Sequence, residues 1–122
     1  MEKKKENNKQ NENFLERLSS HIKAEMALGR MSLESIASAM FITRGQLTRR
    51  VKAITGMTTQ QYAMKIRLTH ACNLLRDNTD MAISEVAFRC GFEDATSFSR
   101  AFRRKNGISP SEYRNDDNLI DI

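Results

Sequence analysis

Apolar residues return every three or four positions along most of this chain, the spacing of one face of an α-helix, and glycine, proline and capping residues mark where each run stops. Phe14, Leu18, Ile22 and Met26, with Leu15 and Leu28 at their edges, predict a first amphipathic helix ending near Gly29. Ser32 opens a short second helix with Leu33, Ile36, Ala37 and Met40 inward. Thr43 caps a third, from Arg44 to about Ile54, whose buried positions are Leu47, Val51 and Ile54. After Gly56, Thr58 or Thr59 starts a long helix reaching about Arg76, with Tyr62, Ile66, Leu68, Thr69, Cys72 and Leu75 as its stripe. Asp77-Asn78-Thr79-Asp80 reads as a loop, and a short helix from Ile83 to Cys90 follows, capped by Asp80 or Ser84, with Val86 and Ala87 inward. Gly91 supplies a turn at positive φ. Beyond it Phe98 and Phe102 share one face of a helix over about 95–105, while Thr96, Arg100, Arg103 and Arg104 fall on the other side. Ser109-Pro110-Ser111-Glu112 begins a last short helix carrying Tyr113. With few alternating β-branched runs and no Asn-Gly or Asp-Gly turn between strands, the predicted fold class is all-α.

The pattern nearly repeats. Leu33-Glu34-Ser35-Ile36-Ala37 matches Ile83-Ser84-Glu85-Val86-Ala87 at an offset of 50, and Leu47, Arg49, Val51, Gly56 and Tyr62 match Phe98, Arg100, Phe102, Gly107 and Tyr113 at an offset of 51. The extra residue in the second turn is most simply Glu93. Each unit reads as helix, tight turn, basic helix and glycine, which is a helix-turn-helix. The sequence therefore predicts two such subdomains joined by a linker helix of about 19 residues, ~28 Å long, near the ~34 Å between successive major grooves on one face of a duplex. The expected organisation is a disordered lead over 1–13, a first unit with its preceding helix over 14–57, the linker helix over 58–77, a second unit over 78–114 and an acidic tail over 115–122.

Charge sharpens this picture. The formal net charge is +5, and between Arg44 and Arg114 stand 13 Lys/Arg against 6 Asp/Glu, a net of +7. A basic helical domain suits a polyanion, since neutralised phosphates release counterions. Cys72 and Cys90 lack metal-ligand spacing and sit at apolar helical positions, as small core residues of a reducing cytoplasm would. His21 and His70 lack a second ligand at helical spacing, so neither a metal nor a cofactor is expected. No apolar run approaches the ~20 residues of a membrane span. No nucleophile triad, carboxylate pair or phosphate-cradling glycine loop supports an enzyme.

From Leu33 to Arg114 the chain resembles the DNA-binding domain of the AraC/XylS family of bacterial transcription regulators. The matching residues are Leu47-Thr48-Arg49-Arg50-Val51-Lys52 with Thr55-Gly56, and Arg67-Leu68 with Ala71 and Leu74-Leu75. They continue as Ile83-Ser84-Glu85-Val86-Ala87, Gly91-Phe92, Phe98-Ser99-Arg100-Ala101-Phe102-Arg103 and Gly107-Ile108-Ser109-Pro110-Ser111-Glu112-Tyr113-Arg114. Arg50 to Met57 and the helix from Phe14 also resemble output domains of two-component and hybrid sensor regulators.

The resemblance implies sequence-specific binding of double-stranded DNA and regulation of transcription, with recognition helices at about 44–54 and 95–105 entering successive major grooves. It implies base contacts from Gly45, Thr48 and Arg49 in the first unit and Thr96, Ser99 and Arg100 in the second, flanked by Gln46 and Ser97. Arg44, Arg50, Lys52, Arg103 and Arg104 read as phosphate contacts. RNA polymerase and a sensory or receiver domain, in cis or in trans, are the implied partners. The chain departs from the family where Phe41 replaces a turn glycine, where Gly45 lacks a side chain and where Thr59 replaces a helix-starting proline. Either the Phe41 turn is rebuilt or its ring fills a hydrophobic hole, and the second unit is expected to carry more of the base readout. The alternative is a helical protein-interaction module with only non-specific DNA affinity, using the face from Phe14 to Leu28.

Overall fold

In the computed structural model, residues 2–29 and 31–115 are described and fold into helices joined by short turns, with no strand among them. The elements are α1 (Glu2–Ala27), α2 (Leu33–Ala39), α3 (Arg44–Thr55), α4 (Thr59–Asp77), α5 (Ile83–Arg89), α6 (Ala95–Asn106) and α7 (Pro110–Asn115). Contact topology divides the chain into two units, the cut falling inside α4 between Ile66 and Arg67 and inside α1 between Glu25 and Met26. α4 is thus not a bare strut; its first turns complete one unit and its later turns the other.

The helix ends have local causes. Ser32 Oγ accepts the Ser35 N–H at 3.1 Å and starts α2. Thr43 and Gln46 form a reciprocal capping box at α3, with bonds of 3.1 and 2.8 Å. Thr58 and Gln61 repeat that box at α4, and Ser109 and Glu112 at α7. Of the two residues left open for α4, Thr58 therefore caps, and Thr59 is buried in the first turn with its hydroxyl unpartnered. At α5 neither Asp80 nor Ser84 caps: the N-cap is Ala82, which has no side-chain acceptor to offer.

Two further expectations are corrected. Residues 2–13, expected as a disordered lead, are the beginning of α1. Lys, Glu and Gln are good helix formers, and a helix anchored by Phe14 and Leu18 extends at one hydrogen bond per added residue. Thr69, assigned to the apolar stripe of α4, is exposed, and Ala71 takes the buried position instead. The acidic tail lies outside the described residues beyond Asn115.

The first unit closes on Phe14, Leu18, Ile22, Ile36, Ala37, Met40, Leu47, Val51, Tyr62 and Ala63. The second buries Leu68, Leu75, Val86, Cys90, Phe92, Phe98 and Phe102. A row of rings runs through it: Phe92 to Phe98 at 5.3 Å between centroids, Phe98 to Phe102 at 5.7 Å, and Phe102 to Tyr113 at 5.4 Å. Edge-on and tilted pairs of this kind add to the stabilisation from burial alone.

Candidate nucleic-acid interface

α6 is the more sharply two-sided of the recognition-type helices. Phe98 and Phe102 are fully buried on one face, whereas Thr96, Ser97, Arg100, Arg103 and Arg104 are exposed and Ser99 is half-buried. Asp94 caps the helix by accepting the Ser97 N–H at 2.7 Å. Hydrogen bonds from the Ser97 backbone and hydroxyl hold the Asp94 carboxyl below its ordinary range, helped by the Arg100 charge. Ser97 is therefore engaged in the cap. Among the described residues, no side-chain hydrogen bond or ion pair engages Thr96, Ser99, Arg100, Arg103 or Arg104. The outer face of α6 presents two hydroxyls and three guanidiniums with free donors.

α3 has the same exposure but different commitments. Gly45, Gln46, Thr48, Arg49, Arg50, Lys52 and Arg44 are all exposed. Gln46 spends its carbonyl oxygen on the capping box, and the Thr48 hydroxyl donates to the Arg44 carbonyl at 2.9 Å. Arg44 faces Glu34 at 3.4 Å, the Arg50 guanidinium lies 3.9 Å above the Phe14 ring, and Lys52 Nζ donates to the Gly56 carbonyl at 2.9 Å. Among the described residues, no hydrogen bond or ion pair engages the Arg49 side chain, and a Cβ at Gly45 would lie in ordinary contact with its terminal nitrogen at 3.5 Å.

The turns before the two helices follow one hydrogen-bond plan. Phe41 N–H donates to Ser38 O and Ile42 N–H to Ala37 O, as Gly91 N–H does to Phe88 O and Phe92 N–H to Ala87 O. The frames match at an offset of 50 through Ile42 and Phe92 and at 51 from the caps Thr43 and Asp94, which makes Glu93 the inserted residue. Gly91 has φ 82° and Phe41 φ 60°. Neither expectation for Phe41 holds: the turn is not rebuilt, and the ring, 91% exposed, fills no hole.

Sequence reasoning did not assign Arg67 to a site. Its Nε donates to the Cys90 carbonyl and its Nη2 to the Gly91 carbonyl, both at 2.9 Å, and its guanidinium lies 3.9 Å over the Phe92 ring. Burial lowers its pKa from the ordinary arginine value, against the raising influence of Cys90. An arginine beside the apolar stripe of a long helix was the available signal.

Other chemistry finds little support. Both cysteines are free, and burial pushes the Cys90 thiol up to about 12, so it stays protonated and unreactive. No group of His, Cys, Asp and Glu able to hold a metal occurs among the described residues. The groove lined by Leu15, Ser19 and Tyr62 carries Glu12 and Glu16, whose charges would repel phosphate. No described helix is long and apolar enough to cross a membrane.

A short helix, a tight turn and an exposed basic helix, present twice, define a double helix-turn-helix nucleic-acid-binding domain. A family model described as a helix-turn-helix domain matches residues 36–116. The HTH-type transcriptional activator RhaS of Enterobacter sp. (strain 638) is 40% identical over 84 residues, covering 69% of this chain and 30% of that protein. The C-terminal domain of AraT, a response regulator from Geobacillus stearothermophilus, superposes with a TM-score of 0.73 at 30% identity over 82% of each chain. The DNA-binding domain of AdpA, a global transcriptional factor solved in complex with a target DNA, gives 0.72 at 29% identity over 83% of this chain and 88% of that one. The chain belongs to the AraC/XylS family of DNA-binding domains, a family of transcription regulators and not of enzymes. It spans about 30% of the length of RhaS.

Proposed function

We propose that this chain is the sequence-reading output module of a bacterial transcription regulator acting in the cytoplasm, and that α6 is its principal base reader. The observation that carries this reading is the outer face of α6, where Thr96, Ser99 and Arg100 are exposed or half-exposed and their side chains make no hydrogen bond among the described residues. Arg100 suits guanine O6 and N7, which take two parallel hydrogen bonds, and the hydroxyls of Thr96 and Ser99 can donate or accept at neighbouring base edges. Arg103 and Arg104, both about one turn nearer the helix end, suit phosphates and set register.

On α3 the base-facing set is Gly45, Thr48 and Arg49, with Gln46 beside it. Arg44, Arg50 and Lys52 would have to leave Glu34, Phe14 and the Gly56 carbonyl to reach phosphate. With the Gln46 carbonyl and the Thr48 hydroxyl held in bonds of α3 itself, the first unit contributes less discrimination. A sensory or receiver domain, in cis or in trans, would control the module, and the likeness to a response-regulator output domain supports a two-component setting. RNA polymerase is the partner such a module would meet at a promoter.

Selection of bound sequences from random duplexes tests this. We expect two half-sites about one helical turn apart, with Arg100→Ala costing ~1–3 kcal/mol in affinity for the selected site and Arg49→Ala less. A larger loss for Arg49→Ala would refute the asymmetry. Weak, salt-independent binding to every duplex would refute DNA reading and leave the protein-interaction module.

A further inference from the structure

We propose that Arg67 is a positioning residue for base reading by α6, fixing the roll of that helix without touching DNA. The inference rests on the readout by α6 proposed above. Two donors of one planar guanidinium bond the Cys90 and Gly91 carbonyls, the two consecutive peptide oxygens at the turn into α6. The same plane lies over Phe92 at 3.9 Å, and Phe92 packs edge-on against Phe98 at 5.3 Å, on the buried face opposite Arg100. Arg67 thus holds the turn by its backbone and the helix by its ring stack. A chain of rigid, directional contacts of this sort transmits a small displacement into a rotation of the outer face.

A comparison within the chain supports a dedicated device. Fifty residues upstream Arg17 stands at the corresponding place before a buried leucine, Leu18 as against Leu68. Arg17 is exposed, however, and no hydrogen bond or ion pair engages it among the described residues. Its unit also has Ile42 where the other has the Phe92 ring. The clamp exists in the unit whose outer face is unengaged.

Only guanidinium supplies two parallel donors and a flat face together, so Arg67→Lys keeps the charge and loses the clamp. Arg67→Lys and Arg67→Met are to be measured against the selected duplex, a random duplex and duplexes mismatched in each half-site, at temperatures well below unfolding. Near-ultraviolet circular dichroism checks the fold. We expect both variants to lose affinity for the selected site on the order of tenfold, to flatten mismatch penalties in the half-site read by α6 and to keep those of the other half-site. The salt slope should be unchanged. Should Arg67→Met fail to fold, Arg67→Lys decides alone.

Full binding by Arg67→Lys, or a salt slope reduced by about one in Arg67→Met, would make Arg67 a phosphate contact and overturn the proposal. Equal flattening of both half-sites would reduce it to general support of the fold and overturn it as well. Arg100→Ala separates the failures. If it leaves the penalties intact, readout by α6 falls and the proposal with it; if it removes them while both Arg67 variants keep them, the positioning role alone falls.

Discussion

Phe41 sits at φ 60° with its ring 91% exposed, so it bears the strain of the left-handed region without gaining burial. For a residue with a Cβ that conformation costs roughly 1–2 kcal/mol, against the ~0.5–1 kcal/mol by which glycine's freedom in the unfolded chain lowers stability. Phe41→Gly is therefore expected to raise stability by up to about 1 kcal/mol, read as a higher midpoint in thermal or urea unfolding. Asp94 gives a second prediction at this scale. Its carboxyl is held below the ordinary 3.8 chiefly by the Ser97 N–H. A depressed folded pKa adds stability above the unfolded value that disappears as pH falls through the folded one. The difference in melting temperature between wild type and Asp94→Ala should be full at neutral pH and close as the pH drops below 3.8. Sequence alone named Phe41 as a misfit but could not choose its resolution, because turn strain and ring exposure depend on what surrounds the turn.

Among the elements, the helices were legible because each buries one stripe of its own residues and that stripe recurs with the helical period. Their caps were legible at Ser32 and Thr43, where a side chain does the capping. α5 was misread because two plausible acceptors flank a start at which the backbone goes without one. Ala82 has the extended backbone of an N-cap, φ −60° and ψ 145°, with no side-chain bond. Ala82→Ser is expected to stabilise the protein by ~0.5–1 kcal/mol through a bond to a free N–H of the first turn, measurable by urea unfolding. The start of α1 was misread for another reason: composition speaks to whether a segment folds alone, not to whether it can continue a helix already anchored by Phe14 and Leu18.

Over the whole molecule, the excess of positive charge places DNA binding under ionic control. Arg103 and Arg104 are exposed at the end of α6, and among the described residues no ion pair engages either. Replacing both with Gln should weaken binding about equally on specific and random duplexes and lower the slope of log affinity against log salt by roughly 2, whereas Arg100→Ala should act mainly on the specific site. Titrations at several salt concentrations distinguish the two effects.

Sequence by itself determined that the chain is helical, that its middle is doubled, and which faces of α3 and α6 point outward, because periodicity and repetition are properties of residue order. Tertiary structure decided which outward groups are free. Arg50 lies on Phe14, and Arg67 reaches carbonyls 23 and 24 residues away. Such partners are set by distances across the fold, and a period along the chain carries no record of them. That difference adds to what the sequence already separates: α3 and α6 share their buried positions and an outward arginine, Arg49 and Arg100, and leave different outward groups free.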